Sequence, residues 1–284
     1  MKLRSIPTPQ ILGLAVLGLI AAPRLAAAED GKPDWVLSLG AAATGAVPSF
    51  ADGWQLRMED EFGSVRFSAS SEYAPVTSTG LQGTAQVWLP SGLGLFVEVQ
   101  QESQRLKSKQ KADLALSFRD CRACPPITLS AEGSLDTERF KRDDTRVHLG
   151  LGYRVKVASK VYLEATGGLT RFTLDQTLAR ELDENVEESC LYSFSFASRG
   201  CSLPLSVTEK ERQSDSAFGF NAGAGITVFL SRNVGLGAGV RYSRGGAVEL
   251  EGLDAYDEDG REFRTKVEVR PGGVTADLGV RVRF

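Results

Sequence analysis

The chain contains a single histidine, His148, and this residue type could support catalysis. His148 lies in the segment Val147 to Val157, where large apolar residues alternate with small or charged ones. Hydrolases use a histidine as a general base beside a hydroxyl or a carboxylate. The residues two and four positions on, which share its face in a strand, are Gly150 and Gly152. A hydrolase that uses His148 therefore needs partners from neighbouring strands, and this function stays open as an alternative.

An acidic run near the end of the chain is the second candidate for chemistry. Residues 257–262 contain several acids around Gly260, as a calcium-binding loop does. With Gly260 in the turn position of such a loop, Ala255 would be the first ligand and Lys266 the last. Neither residue can bind calcium, so the sequence predicts a solvated loop. No metal and no cofactor are expected.

The start of the chain predicts export. A positively charged start precedes the apolar run 11–22, and the small residues Ala26-Ala27-Ala28 follow. This order is typical of a signal peptide, so we expect a signal peptide at 1–28 and one domain at 29–284. A membrane-anchoring helix is the alternative. The run is shorter than the roughly 20 residues that a membrane helix needs, and Pro23-Arg24 interrupt it.

The charge balance limits the class of partner. The chain has 33 basic and 36 acidic residues, and three of the bases lie in the expected signal peptide. An acidic mature chain argues against a nucleic-acid partner. No later run of about 20 apolar residues exists that could form a transmembrane helix.

The four cysteines predict disulfides, because an exported chain meets an oxidising compartment. Cys121 and Cys124 form one close pair, and Cys190 and Cys201 form another. We expect two local bridges within these pairs, with a bridge between the two loops as the alternative. A zinc site would need a second pair at similar spacing together with histidines.

The elements that position these residues are long segments in which apolar and polar residues alternate with a period of two, as in β-strands. Three hairpins follow one plan, each with a turn of three residues, at 90–92, 158–160 and 231–233. An opening strand at about 35–44 and a closing strand at 274–284 bring the count to eight. Long polar segments join the hairpins on the other side, at 101–143, 179–215 and 251–265.

The region 47–78 leaves the strand count open. Two alternating segments, 54–59 and 65–69, flank a tight turn at Phe62-Gly63-Ser64. If these two segments are strands of the barrel wall, the barrel has ten strands. If they form a hairpin that projects from a long loop, the barrel has eight. Both segments are just long enough to cross a membrane, so ten is favoured over eight. Asp60 argues against ten, because parity would place it on the lipid face.

The side-chain pattern of the strands favours a membrane. In the last strand one face is apolar and the other carries Thr275, Asp277, Arg281 and Arg283. A soluble sandwich or a lipocalin-like barrel would turn the apolar face inward. Here the small and charged residues would fill the interior, while the apolar face meets lipid. Backbone in lipid must pair every polar group, so the sheet must close. The fold class expected is an all-β, closed antiparallel transmembrane β-barrel.

Three runs carry a resemblance to a known family. The runs 219–226, 234–242 and 274–284 resemble the small outer-membrane β-barrel family, which includes the barrel domain of outer-membrane protein A. The resemblance implies residence in the outer membrane, short periplasmic turns, long extracellular loops and contact with lipid and lipopolysaccharide. Val280, Val282 and Phe284 resemble the terminal signal that the barrel assembly machinery recognises. The region 47–78 departs from the family if the strands number ten.

The charges on the inner face predict how the lumen is filled. Because buried charges must pair, they should form an ion-pair network that plugs it. The expected function is a non-enzymatic structural or surface-interaction role through disulfide-braced extracellular loops, with an unidentified extracellular ligand. The alternative is a narrow porin for ions or small solutes. The residues expected in the lumen network are Glu98, Arg154, Glu164, Arg241, Asp277 and Arg281.

Overall fold

The computed structural model describes residues 33–45, 50–59, 63–75, 78–118, 127–135, 139–184, 201–202, 205–256 and 261–284. Almost all of this chain is β-strand. The strands are β1 (Asp34–Thr44), β2 (Phe50–Glu59), β3 (Gly63–Pro75), β4 (Ser78–Trp88), β5 (Leu93–Phe118), β6 (Ile127–Leu135), β7 (Arg139–Ala158), β8 (Val161–Glu184), β9 (Cys201–Ser202), β10 (Leu205–Phe229), β11 (Val234–Gly245), β12 (Val248–Tyr256), β13 (Glu262–Val269) and β14 (Gly272–Arg283). No helix in the described ranges has the length and apolar character to cross a membrane.

Eight of these strands form a ring of antiparallel pairings. The order is β5-β4-β1-β14-β11-β10-β8-β7, and β7 pairs again with β5. The first and last strands are neighbours over nine residue pairs, from Val36 opposite Arg283 to Thr44 opposite Thr275. Each strand of the ring therefore has a hydrogen-bonding partner on both sides.

The expectation that 47–78 supplies two wall strands is corrected by the pairings. β3 pairs with Leu106–Phe118, the half of β5 that lies beyond the residues paired with β4. β2 pairs with β3. These two strands therefore extend the sheet above one end of the ring and lie outside it. β2 and β3 lie in a part of the sheet whose two faces also differ in burial. This difference accounts for the alternation of apolar and polar residues in their sequences.

Alternate residues of the ring strands have opposite environments, as the period of two predicts. Leu169 is 69% exposed on the outside, whereas its neighbour Thr170 is fully buried inside. The same contrast holds between Leu149, at 56% exposed, and His148, which is fully buried. Most large aliphatic residues thus point outward, and the inner face carries polar residues together with a few aromatic rings, such as Trp88 and Phe96, unlike the apolar interior of a soluble β-barrel.

The three predicted turns lie at one end of the ring. In the turn between β4 and β5, the Leu89 amide donates to the Leu93 carbonyl at 2.7 Å. Gly92 has a φ of 87°, in the left-handed region that a residue with a Cβ rarely adopts. At the turn between β10 and β11 the Leu230 amide donates to the Val234 carbonyl at 2.9 Å.

The opposite end of the ring carries a second, apolar layer. β5, β7, β8 and β10 continue beyond the other ring strands, and β3 and β6 pair with the extension of β5. The β12–β13 hairpin contacts β2, β8 and β10. We call these two strands, residues 248–256 and 262–269, the cap. Its inward residues belong to one buried cluster with those of the extended strands. The cluster contains Ala69, Tyr73, Leu106, Phe140, Leu174, Leu178, Ala179, Ala217, Val248, Leu250, Leu253, Val267 and Val269.

Candidate functional site: the lumen of the ring

The lower part of the lumen, nearest the short turns, holds Arg154. This residue lies on β7, and its Nη2 donates to Asp34 Oδ2 on β1 at 2.7 Å. Its guanidinium also lies over the rings of Trp88, at 5.1 Å, and Tyr162, at 4.8 Å. Arg154 therefore has a carboxylate partner that the sequence analysis did not name.

The middle of the lumen is crossed by a salt bridge. Arg241 Nη2 on β11 lies 3.0 Å from Glu98 Oε2 on β5. These strands are four places apart in the ring of eight, so the two side chains reach each other from opposite walls. Arg241 also donates to Asn221 Oδ1 at 2.7 Å and lies over the ring of Phe96.

A second salt bridge lies beside the first. Arg281 on β14 pairs with Glu164 on β8, and both contact the hydroxyl of Thr227 on β10. The Thr227 hydroxyl donates to Glu164 Oε1 at 2.9 Å. Glu164 and Arg281 are 7% and 8% exposed, so water screens this pair little.

A cavity of about 30 Å³ separates the two salt bridges. Five of the six residues expected in the lumen network line it: Glu98, Glu164, Arg241, Asp277 and Arg281. Since one water needs about 10–15 Å³ of such volume, the space suits roughly two waters. Charged side chains from opposite walls therefore surround a small polar cavity at this level of the lumen.

An upper network centred on Arg146 was missed by the sequence analysis. Its guanidinium lies 2.9 Å from Asp144 Oδ2 and 3.3 Å from Glu102 Oε2, and all three side chains are buried. Arg146 Nη1 also donates to the hydroxyl of Thr275 on β14 at 3.1 Å, again across the ring. The signal was present in the alternation of β7. The outward residues at this height are polar, so hydrophobic alternation indicates a strand only from Val147 onward.

His148 lies between the two networks, with a hydroxyl on one side and a carboxylate on the other. Its Nδ1 is 2.7 Å from Thr170 Oγ1 on β8, and its Nε2 is 3.8 Å from Glu98 Oε1 on β5. The partners do come from neighbouring strands. His148 and Thr170 are fully buried, however, so the group is packed inside the lumen and not on its surface.

Comparison with known proteins decides the family. The model of the outer membrane protein beta-barrel domain family matches residues 12–270 of the chain. The chain belongs to this family. Membership places it in the outer membrane of the cell, with the exposed apolar face of the ring toward lipid. No curated protein matches the sequence.

Solved structures with a related fold include three outer-membrane proteins. The attachment invasion locus protein Ail of Yersinia pestis, in complex with the heparin analogue sucrose octasulfate, is 11% identical, with a TM-score of 0.38. The match covers 89% of this chain and 99% of Ail. OprG of Pseudomonas aeruginosa is 9% identical, with a TM-score of 0.48 and coverage of 89% and 97%. Neisserial surface protein A is 13% identical, with a TM-score of 0.35 and coverage of 89% and 99%.

The cap is held over the ring of this outer-membrane protein by contacts on two sides. On one side, Asp52 Oδ2 of β2 accepts a hydrogen bond from the Leu253 amide at 2.7 Å. On the other side, the Gln213 side chain of β10 donates to the Glu251 carbonyl and accepts from the Glu251 amide, both at 2.7 Å. Arg180 of β8 adds a contact of 2.8 Å to Asp254. The cap thus makes polar contacts with three different strands.

Two ionisable groups beside the cap are shifted by burial. Desolvation raises the pKa of Asp52 above its ordinary value, although hydrogen bonds from Thr265 and the Leu253 amide oppose the shift. Burial also raises the pKa of Tyr73 to about 12, and its hydroxyl accepts a hydrogen bond from the Ala179 amide at 3.0 Å. Both groups favour their neutral forms in this apolar layer.

The cysteines and the terminal residues complete the predicted set. Cys121, Cys124 and Cys190 lie outside the described residues. Only the backbone of Cys201 is described, in β9, where it pairs in parallel with Ala131 of β6. The terminal residues are placed in β14, between β1 and β11: Val280 pairs with Leu39 and Leu236, Val282 pairs with Leu37 and Val234, and the Phe284 amide donates to the Trp35 carbonyl.

Two further expectations concern metal binding and the signal peptide. No three histidine, cysteine, aspartate or glutamate residues in the described ranges are grouped so that they could hold a metal ion. Residues 257–260 of the acidic run and the expected signal peptide at 1–28 lie outside the described residues.

Proposed function

We propose that this chain is a non-enzymatic outer-membrane protein whose eight-stranded ring is a closed, plugged barrel. The three short turns face the periplasm, and the extended strands with the cap face the exterior. Its role is structural, or one of surface interaction through the extracellular strands and loops. The cysteines at 121, 124, 190 and 201 brace those loops, and an extracellular ligand remains to be identified.

The observation that carries the proposal is the salt bridge between Arg241 and Glu98. A pore of constant width keeps charged side chains on its wall, where water solvates them. Here two opposite walls are joined directly at 3.0 Å, so the charged side chains span the lumen and leave only a small polar cavity beside them. Arg146 and Thr275 make a second junction between opposite walls, nearer the exterior.

The apolar cap supports the same conclusion from the exterior. Leu250, Leu253 and Val267 are each at most 3% exposed, because they pack against the extended strands. At about 25 cal/mol per Å² of apolar surface, displacing such a layer into water is costly. A solute would therefore meet a closed mouth before it reached the charged part of the lumen.

Burial of His148 supports a non-enzymatic role. A substrate would have to displace the salt bridge of Glu98 and Arg241 to reach the imidazole from the cavity side. The hydroxyl of Thr170 is already within hydrogen-bonding distance of the ring nitrogen. These contacts are those of a structural histidine that completes a buried polar network.

Planar-bilayer recording tests the proposal. The wild-type protein should give no steady current. Combining Arg241→Met with Arg146→Met removes both junctions, and in a second variant a short Gly-Ser linker replaces the cap. Only the two changes together should produce steady conductance, because either closure suffices. Arg212→Met, which removes an exposed arginine on β10, is the matched control. A large steady current from the wild type would overturn the proposal and favour the narrow porin.

A further inference from the structure

A layer of polar side chains lies inside the extended strands, between the Arg146 network and the cap. Gln104 of β5 is directly opposite Arg142 of β7, and Arg142 is directly opposite Gln176 of β8. We call these three residues the girdle. Their exposed fractions are 3%, 0% and 0%, so the girdle is shielded from solvent while the cap is in place.

The side chains of the girdle lack hydrogen-bond partners. Within the described part of the chain, neither polar atom of the Gln104 amide has one, and the same holds for the Gln176 amide. The three guanidinium nitrogens of Arg142 also lack one. Arg142 Nη2 lies 3.8 Å from Asp144 Oδ2, which is beyond hydrogen-bonding distance. That oxygen of Asp144 lies instead 2.9 Å from Arg146.

An apolar layer separates the girdle from the exterior. On each of β5, β7 and β8, the residue two positions further out on the inner face is apolar and buried. These residues belong to the same cluster as the inward residues of the cap, and they are Leu106, Phe140 and Leu178. The girdle is therefore covered by the apolar layer that the cap completes.

A fourth residue at the same height contacts the cap directly. Gln213 of β10 is directly opposite Gln176 in the β8–β10 ladder. Its side chain donates to the Glu251 carbonyl and accepts from the Glu251 amide, both at 2.7 Å. Closure of the cap therefore satisfies Gln213 and leaves its direct neighbour, Gln176, without a partner.

The connections of the cap to the ring are short and contain glycine. The two strands of the cap form a sheet of their own. Residues 246–247 join β11 to β12, and residues 270–271 join β13 to β14. Gly272 and Gly273, directly after the second connection, have φ values of 133° and 135°, which residues with a Cβ rarely adopt. Such connections can act as hinges, so that the cap can move as a unit.

We propose that the cap is a lid that opens on its own and exposes the girdle to water, while the ring beneath it stays folded. Opening separates the apolar residues of the cap from their packing, which is unfavourable. It also hydrates the amides of Gln104 and Gln176 and the guanidinium of Arg142, which the closed form leaves buried and unpaired at a cost. The two effects oppose each other, so the cap is held less firmly than its apolar area alone implies.

The open form is a vestibule and not a pore. The salt bridge between Arg241 and Glu98 lies below the girdle and does not involve the cap. Lids and other moving elements belong to the parts of a protein that open locally at low free energy. The inference does not depend on whether the lumen below conducts.

Hydrogen exchange of the folded protein in lipid vesicles tests this proposal. The test variant combines Gln104→Met and Gln176→Met, which keep the length of each side chain and remove the unpaired amide. The closed form of this variant no longer bears the cost of two dry amides. The backbone amides of 248–256 and 262–269 should therefore exchange at least about tenfold more slowly than in the wild type.

The matched control is Gln213→Met, the same substitution at the position directly opposite Gln176. It removes two hydrogen bonds that exist only in the closed form, so the cap should exchange at least about fivefold faster. Unchanged or faster exchange of the cap in the test variant would overturn the proposal, since opening would then leave the girdle buried.

The ring supplies the reference for local opening. Amides of residues 149–155 on β7 should stay protected in all three proteins while the cap exchanges. If the cap and these ring amides exchange at the same rate in the wild type, the cap opens only when the whole protein unfolds, and the proposal fails.

Folding is measured separately, by the gel shift on heating. If the test variant does not fold, Gln176→Met alone is compared with Gln213→Met, with an expected slowing of about fivefold. A steady current from the wild type in planar-bilayer recording would count against the plugged lumen and leave the exchange result unaffected.

Discussion

Arg241 and Glu98 lie on opposite walls of the ring, and their side chains meet at 3.0 Å in its centre. One residue belongs to β11 and the other to β5, and they are 143 positions apart in the sequence. Glu98 is buried and Arg241 is largely shielded from water, so the pair acts as a strut that fixes the distance between two walls.

The strut itself is tested by exchanging its charges. Glu98→Arg alone places two cations in contact and should destabilise the folded protein strongly, by about 3–5 kcal/mol as for a broken buried pair. Adding Arg241→Glu restores opposite charges and should recover a large part of that loss. Urea unfolding in lipid vesicles measures both. If the double variant is no more stable than Glu98→Arg, then the two residues do not interact directly.

Glu164→Gln should destabilise the protein, because Arg281 would lose its carboxylate while remaining buried. The cost of leaving such a charge without its partner is about 3–5 kcal/mol. Glu249→Gln is the matched control. Glu249 pairs with Lys266 at 3.1 Å on the surface, where a pair contributes about 0–1 kcal/mol. Equal urea midpoints for the two variants would show that the lumen pair is solvated, as in a pore.

Asp52→Asn tests the pH dependence of the cap. Because the folded protein raises the pKa of Asp52, the neutral form is favoured in the fold. Its contribution to stability is therefore fully present below the unfolded value of 3.8 and is lost as pH rises through the folded value. Asparagine keeps an oxygen acceptor for the Leu253 amide and carries no charge. In this variant, the cap should hold the same stability from pH 4 to pH 8.

Hydrogen exchange of the peptide 248–269, corrected for intrinsic rates, measures cap stability at each pH. In the wild type, protection should fall as pH rises, and in Asp52→Asn it should stay level. Asp52→Ala also removes the charge but loses the hydrogen bond, so its protection should be lower at every pH by about 1 kcal/mol. A wild-type cap with protection independent of pH would contradict the role given to Asp52.

The pairing of the cysteines remains a prediction. We expect Cys121–Cys124 and Cys190–Cys201, since each pair lies close together in sequence. The alternative bridge between loops has a concrete geometry, because Cys201 in β9 pairs with Ala131 of β6, the strand that follows Cys124. Peptide mapping without reduction distinguishes the two. A peptide that links Cys124 to Cys190 or Cys201 would exclude the local pairing.

The sequence determined the positions and faces of the membrane-crossing strands. A strand between lipid and a polar lumen has alternating apolar and polar residues. This alternation is visible in every segment with outward apolar residues. Parity alone therefore turned Glu98, Glu164, Arg241 and Arg281 toward the lumen. The three short turns were equally visible, since Gly, Ser, Asn and Pro mark them.

The sequence could not reveal the strands beyond the apolar belt. The outer halves of β5, β7, β8 and β10 face water, so their outward residues are polar and the alternation of hydrophobicity disappears. The sequence therefore predicts polar loops over most of these halves, and it does not single out the network of Arg146, Asp144 and Glu102. The expected count of ten ring strands has a related cause. β2 and β3 alternate as wall strands do, but β3 pairs with the extension of β5 and β2 pairs with β3.

Only the tertiary structure decided which charges pair. Parity gives the face of a residue and its approximate depth, but the partner depends on the order of strands around the ring. Arg154 and Glu164 are directly opposite each other on β7 and β8, yet Arg154 pairs with Asp34 and Glu164 with Arg281. A narrow lumen brings strands from opposite walls within side-chain reach. Its ion pairs are therefore set by the closing of the ring and not by separation along the chain.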